Sequence, residues 1–492
     1  MSVDFSPGRA DAPGASNKPC PRDAEATFRR ALELHQQGEE AEAAVQYRQT
    51  LALCPERAEA WFWLGVLHGA AANTSEALDC LERAQALMPR EPAIAYQLAM
   101  TYHAAQQHRM AIDQFQKTLS LDPAHWQAAY NLGTVLLGQG RIDEAIAAYR
   151  TAAGLNPGDA DIHFNLGLAC KRAGKPAEAV AAYLRAAELA PDDAEVHYNL
   201  GLTYKAMGCI EEATAALEIA IAIQPDYTAA HGNLGVLYLD QGRVDAAAAS
   251  YQRLVDLDHN VEAARHILAA LSGETTSHAP SGYIADLFDN FSATFEQRLV
   301  GDLGYQAPWQ LKKMLLSRPD GKERYESMLD LGCGTGLVGE ALQEITGRRV
   351  GVDLSPRMIE AAAAKKLYDR LTVAEITAFL EQTSDCFDLI VAADVLIYVG
   401  ELEDIFPLLA RRLARGGRLL FSTEHLAGTG YQLRQSGRYA HATEYIRAIA
   451  GQSGLTVLAS EQAPLRREKG EWLAGEFFVL GHAGETAGSA AS

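Results

Sequence analysis

Leu329-Asp-Leu-Gly-Cys-Gly-Thr-Gly336 sets glycines at alternate positions behind an acidic residue, and the run Val350-Gly-Val-Asp353 ends on a carboxylate about twenty residues later. Only glycine lets a backbone turn this sharply and approach a bulky ligand at low cost, and a carboxylate closing the next strand offers acceptors to ribose hydroxyls. Together they describe a nucleotide-type cofactor site, and hence an enzyme. Gly334-Thr-Gly336-Leu-Val-Gly339 also satisfies G-x-G-x-x-G, the pattern of dinucleotide sites. Asp330 argues against that reading: an acid beside the first glycine suits a ligand with a cationic amino group and repels a pyrophosphate.

These residues resemble motif I of class I S-adenosylmethionine-dependent methyltransferases. The resemblance continues through Asp353-Leu-Ser-Pro and Phe387-Asp-Leu-Ile-Val-Ala-Ala-Asp394 and covers residues 283–482. It implies an α/β Rossmann-like domain with a seven-stranded sheet, its last strand antiparallel, and S-adenosylmethionine as cofactor; a dinucleotide binder or a degenerate site is the alternative. Apolar runs place strands near 326–331, 348–353, 371–374, 387–393, 417–423, 454–460 and 474–481. The connection 461–473 is too short for a helical crossover. In such sheets ligands lie outside the carboxyl ends of the strands, at the switch point. That puts Asp330, Gly332, Gly334 and Gly336 around the methionine end, Asp353 on the ribose, Leu354 and Met358 beside adenine, and Glu375 at adenine N6. Cys333 belongs to the same loop as a small residue; a sulfonium already carries an activated methyl group, so no nucleophile is required. Asp394 ends the fourth strand, within reach of the methionyl amine or the acceptor.

Direct displacement at a methyl group depends chiefly on positioning, worth roughly 7–11 kcal/mol, so a general base is an aid. Tyr398, His425 and His441 are the candidates, with Glu424, Tyr431 and Tyr439 near them in the sequence. Arg434 and Arg438 after the fifth strand, and Arg466, Arg467 and Lys469 between the last two, are expected on the cofactor-facing edge, where they suit anionic substrate groups. Residues 392–398 read Ala-Ala-Asp-Val-Leu-Ile-Tyr, not the Asn/Asp-Pro-Pro-Tyr of enzymes that methylate planar nitrogens, which argues against DNA adenine or glutamine acceptors. Residues 283–316 read as helices; in related methyltransferases this segment closes over the cofactor, which implies a lid containing Phe288, Phe291 and Tyr305.

The N-terminal half must position this machinery or its partner. Pro55, Pro89, Pro123, Pro157, Pro191 and Pro225 recur every 34 residues, in phase with Gly65, Ala99, Gly133, Gly167, Gly201 and Gly235. The pattern resembles the tetratricopeptide repeat, which implies an all-α superhelix of about seven helix pairs over 24–271, including a closing helix at 260–271. Phe62, Tyr96, Tyr130, Phe164 and Tyr198, with Asn131, Asn165, Asn199 and Asn233 beside them, are expected to line its groove. The aromatics are equally readable as packing residues. A ladder of side-chain amides can grip the backbone of an extended peptide, so the groove is expected to hold a protein or peptide partner. His163, His197 and His231 share the period, but repeats about 10 Å apart cannot share a metal ion, and no metal is expected.

The chain has 492 residues with a net charge of −20, a balance that disfavours non-specific binding to nucleic acid or anionic membranes. No apolar run reaches the length of a membrane span, and a cytoplasmic location is expected. The seven cysteines form no C-x-x-C pair and read as buried thiols in a reducing compartment. Residues 1–22 and 483–492 have the composition of disordered or flexible segments, and 272–282 that of a flexible linker. The whole layout resembles predicted bacterial methyltransferases carrying tetratricopeptide repeats, a group whose motifs do not define the methyl acceptor. It implies a methyltransferase whose repeats recruit a protein. Two other readings stay open: a repeat scaffold with a non-catalytic S-adenosylmethionine-binding module, and a small-molecule methyltransferase that uses its repeats for assembly.

Overall fold

The computed structural model describes residues 20–258, 261–292, 295–318, 322–468 and 470–484, with the side chains of Asn290 and Phe291 excepted. The expectations for 1–19, Phe291, Lys469 and 485–492 lie outside the described residues. The chain divides into two compact units, Met1–Ala230 and His231–Ser492.

The first unit is a stack of antiparallel helix pairs: α1 (Arg22–Gln36) with α2 (Glu40–Leu53), α3 (Ala58–Ala70) with α4 (Thr74–Leu87), α5 (Pro92–Ala104) with α6 (His108–Leu121), α7 (Trp126–Gly138) with α8 (Ile142–Leu155), α9 (Ala160–Arg172) with α10 (Pro176–Leu189), and α11 (Ala194–Ala206) with α12 (Ile210–Ile223). The period-34 small residues let the two helices of a pair touch. A Cβ at Gly133 would lie 2.8 Å from the ring of Tyr149, and one at Gly167 2.7 Å from that of Tyr183. Both tyrosines are fully buried. The prolines follow helix ends, where a residue without an N–H does no harm. A seventh pair, α13 (Thr228–Asp240) and α14 (Val244–Leu257), is followed by a further helix, α15 (Glu262–Ser272).

One expectation fails here. Cys20 and Cys54 form a disulfide, with Cα atoms 5.7 Å apart, so these two are not free buried thiols. In an antiparallel hairpin the start of the first helix lies beside the end of the second. Cys20 precedes α1 and Cys54 caps α2, which is how residues 34 positions apart meet without a C-x-x-C motif.

The second unit carries the sheet: β1 (Tyr325–Leu331), β2 (Thr346–Asp353), β3 (Arg370–Val373), β4 (Phe387–Ala392), β5 (Leu413–His425), β6 (Tyr431–Leu433), β7 (Tyr439–His441), β8 (Leu455–Glu468) and β9 (Glu471–His482). The order β3-β2-β1-β4-β5 is parallel throughout; β9 runs antiparallel to β5, and β8 antiparallel to β9. Leu329, Leu389, Ile390, Val391, Leu419, Leu420 and Phe421 are fully buried, as expected of strands covered on both faces. Among the described residues the sheet has nine strands where seven were expected, because the end of β5 also pairs with the short β7, and β7 with β6. β8 and β9 form a long hairpin, so Arg466 and Arg467 lie on β8, opposite Leu473 and Trp472, and not in a loop. Around the sheet lie α16 (Ser281–Phe291), α17 (Ala307–Leu316), α18 (Leu337–Leu342), α19 (Pro356–Ala364), α20 (Ile376–Gln382), α21 (Ile405–Arg412) and α22 (Thr443–Gln452).

The segment read as a flexible linker is tied down. Ser277 accepts hydrogen bonds on its carbonyl from the N–H groups of Gly400 and Glu401, both 2.8 Å, and Ala279 N–H donates to Tyr398 O at 3.0 Å. His278 bridges Val399 as an antiparallel pair. In α15, buried His266 places Nε2 2.9 Å from Gly437 O. Small polar residues suit a linker and a strap alike, and only the partner segment distinguishes the two.

Candidate active site

A cavity of about 730 Å³ opens at the carboxyl ends of β1, β2, β3 and β4. The turn after β1 forms its floor, with Gly332, Gly334 and Gly336 at φ of +63°, +51° and +93°. Any Cβ at Gly332 would collide with Val395, so both conformation and space require glycine there. Asp353 reaches the same turn: Oδ2 accepts from Gly334 N–H at 2.8 Å and Oδ1 from Ser355 N–H at 2.9 Å. Burial pushes this carboxyl up from its ordinary range, and the backbone donors oppose that shift. Glu375 caps α20 by accepting from Ala378 N–H at 2.8 Å.

Asp394 leaves the end of β4 at φ +60°. Arg466 Nη1 contacts both its oxygens, at 2.7 and 2.6 Å, and Arg466 Nη2 donates to Glu424. Glu424 also accepts from Arg438 Nε at 2.9 Å, and Arg438 Nη2 donates to Glu468 at 2.7 Å. Burial alone would depress the Arg466 guanidinium, but the Asp394 and Glu424 carboxylates raise it, so it stays charged. This chain of alternating charges forms one polar edge of the wall.

Of the expected residues, Gly332, Cys333, Gly334, Asp353, Leu354, Glu375, Asp394, Tyr398, Arg438 and Arg466 line the cavity, as do Phe288 and Tyr305 of the expected lid. Six others do not. Asp330 is fully buried behind the turn, accepting from Tyr368 OH at 2.6 Å, and burial raises its carboxyl to about 8. Gly336 opens α18 and packs towards Tyr368, and Met358 is buried inside α19. His441, expected as a base, is fully buried with Nε2 on the carbonyls of Val399 and Gly400, at 2.9 and 3.1 Å; burial lowers its pKa to about 4. His425 pairs through Nδ1 with Glu476 at 3.1 Å, off the wall. Arg434 is exposed and donates to His425 O at 3.2 Å. The arginines expected to attract anions are thus either off the wall or, for Arg438 and Arg466, engaged by carboxylates.

Cys333 is buried, which drives its thiol far above the ordinary range. Burial likewise raises Tyr398, whose ring meets Phe288 edge-on at 5.7 Å between centroids. His278 and Ser277 also join the wall, from the strap, together with Arg298, Glu401 and Asp404. No motif or periodicity marks them.

In the first unit the asparagine ladder is partly internal. Asn131 Nδ2 donates to Tyr96 OH at 3.1 Å, and Asn165 Nδ2 to Tyr130 OH at 3.0 Å, each reaching back one repeat. Asn199 Nδ2 donates to Glu195 O at 3.1 Å, while its Oδ1 lies 3.5 Å from Lys171 Nζ. Asn233 is half-buried. Tyr96 and Tyr130 are thereby hydrogen-bond partners as well as packing groups.

Residues 329–421 match the methyltransferase domain family, and residues 96–160, 130–194 and 198–271 match the tetratricopeptide repeat family. The chain is 29% identical over 113 residues to the mitochondrial ubiquinone biosynthesis O-methyltransferase of Homo sapiens, covering 22% of this chain and 31% of that one. It is 35% identical over 101 residues to the ribosomal protein L11 methyltransferase of Shewanella sp. (strain ANA-3), covering 20% and 33%. The chain therefore spans about a third of the length of these relatives. Solved structures similar to it include MamA, at 25% identity and a TM-score of 0.33 over 34% of this chain and 92% of that one. YrrB, a tetratricopeptide-repeat protein with an unusual peptide-binding site, is 26% identical with a TM-score of 0.36 over 37% and 95%. This chain carries tetratricopeptide repeats followed by a methyltransferase domain.

Proposed function

We propose that the second unit transfers a methyl group from S-adenosylmethionine, and that the repeat array holds a protein partner. The observation that carries the first part is the Asp353 carboxylate, locked to the glycine turn by Gly334 N–H while lining the cavity. Each carboxylate oxygen has acceptor capacity beyond one backbone bond, which suits ribose hydroxyls. The donor set fits the cofactor. Glycines hold the turn close, Asp353 and Glu375 offer acceptors, and Leu354 and Ile376 offer apolar surface beside them. When bound, S-adenosylmethionine supplies an activated methyl group, and the chain's own residues exclude water and align the acceptor. Asp330 supports the turn from behind through Tyr368, whose OH also accepts from Gly339 N–H at 3.1 Å.

Calorimetric titration with S-adenosylmethionine, and separately with NAD, tests this reading. Binding of the first alone, lost in Asp353→Ala, is the expected result; binding of NAD alone would replace the reading with a dinucleotide site. For the array, the relevant groups are the amide oxygens of Asn131 and Asn165, which the internal bonds made by the amide nitrogens do not use. Fluorescently labelled extended peptides are expected to bind the full-length protein and to bind Asn165→Ala more weakly.

A further inference from the structure

The cavity wall contains residues outside the set given to the cofactor and its lid: Ser277 and His278 from the strap, and Ser281 and Leu287 from α16. In a methyltransferase they would border the space left for the acceptor. Resting on the methyltransferase reading of this unit, we propose that the acceptor is an uncharged small phenol and that His278 takes up its hydroxyl proton during methyl transfer.

Charge comes first. Among the described residues three arginines line the wall: Arg438 and Arg466 are engaged by Glu424, Glu468 and Asp394, and Arg298 also has a partner. An anionic acceptor would lose hydration without gaining a free cation, a cost that an uncharged one avoids. Shape comes second. Phe288, Phe295, Tyr305 and Tyr398 give the wall aromatic surface, and ring-to-ring contacts favour a flat apolar group.

The proton comes third. A phenol with an ordinary pKa near 10 keeps its proton at neutral pH and becomes strongly nucleophilic only as that proton leaves. The buried Cys333 and Tyr305 and the half-buried Tyr398 all hold their protons more tightly than usual. An imidazole is the side chain suited to accept one near neutrality. The His278 backbone is fixed by its pairing with Val399, and Nδ1 lies 2.9 Å from Ser277 Oγ. Among the described residues Nε2 has no partner. As the phenolic oxygen bonds to the methyl carbon, the methyl–sulfur bond breaks with its electron pair remaining on sulfur. The hydroxyl proton passes to Nε2 and then to solvent, to which His278 is exposed.

The experiment uses the full-length protein, labelled S-adenosylmethionine, and a panel of catechol, alkyl-substituted catechols and fluorinated phenols of graded acidity. Carboxylated analogues and N-acetyltyrosine amide are run alongside. Methylation of the uncharged phenols is expected, with kcat lower by about 10²–10⁴ in His278→Ala and His278→Gln and S-adenosylmethionine affinity unchanged. The dependence on His278 should shrink as the phenol becomes more acidic. Cofactor binding without transfer to any uncharged small phenol would overturn the proposal while leaving the methyltransferase reading standing. Preference for the carboxylated analogues or the tyrosine amide, or an unchanged kcat in both variants, would overturn it equally. Absence of cofactor binding would remove the methyltransferase reading itself.

Discussion

Arg466 lies across Asp394, with one guanidinium nitrogen 2.7 Å from one carboxylate oxygen and 2.6 Å from the other, although the two residues stand on β8 and after β4. Arg466 is 4% exposed and also engages Glu424, which is 2% exposed. Its removal leaves two carboxylates without their shared cation. Arg466→Ala should therefore destabilise the second unit by about 3–5 kcal/mol, the cost of orphaning a buried charge. Urea unfolding followed by tryptophan fluorescence reads this directly, and an unshifted midpoint would contradict the buried network.

Asp353→Asn keeps the side-chain shape but weakens the acceptors for Gly334 and Ser355. Bonds to a charged partner are worth about 1.5–3 kcal/mol, so S-adenosylmethionine affinity should drop by at least tenfold, and further in Asp353→Ala. Equal affinities in calorimetry would show that the carboxylate does not hold the ligand.

Gly167→Ala tests the small-residue period. The new methyl group would meet the Tyr183 ring at 2.7 Å, and overpacking of this kind costs about 1–3 kcal/mol. Gly158→Ala meets nothing within 4 Å and serves as the control. If thermal unfolding of the two variants coincided, close helix contact would not be the reason for the period.

Burial lowers His441 from 6.5 to about 4. Between those values the unfolded chain gains a proton that the folded chain refuses, so the contribution of His441 falls as pH falls. Asp330, raised to about 8, has the opposite slope: its contribution is full at low pH and declines as pH rises. The comparison with His441→Gln isolates the histidine. From pH 7 to pH 5 the stability of wild type relative to the variant should fall by about 2 kcal/mol, at 1.36 kcal/mol per unit below 6.5. A constant difference would mean that the ring is not held neutral.

The repeats and the parallel sheet were legible because each rests on local or periodic chemistry. Prolines and small residues every 34 positions specify helix pairs, and apolar runs ending in glycine or aspartate specify strands and the glycine turn. Nothing periodic marks residues 274–280, and there composition pointed to a free linker. Only pairing with 398–401 turned the segment into a strap and carried His278 to the cavity.

By itself, then, the sequence determined the repeat array, the order of the main strands and the Asp353–glycine-turn pair, because backbone conformation and apolar period act over short spans. Tertiary structure decided which titratable groups face the cavity. It buried His441, moved Arg466 into a strand against Asp394, set Asp330 behind the turn and joined Cys20 to Cys54. Burial and charge pairing are properties of segments distant in the chain, and no local pattern encodes which distant segment arrives.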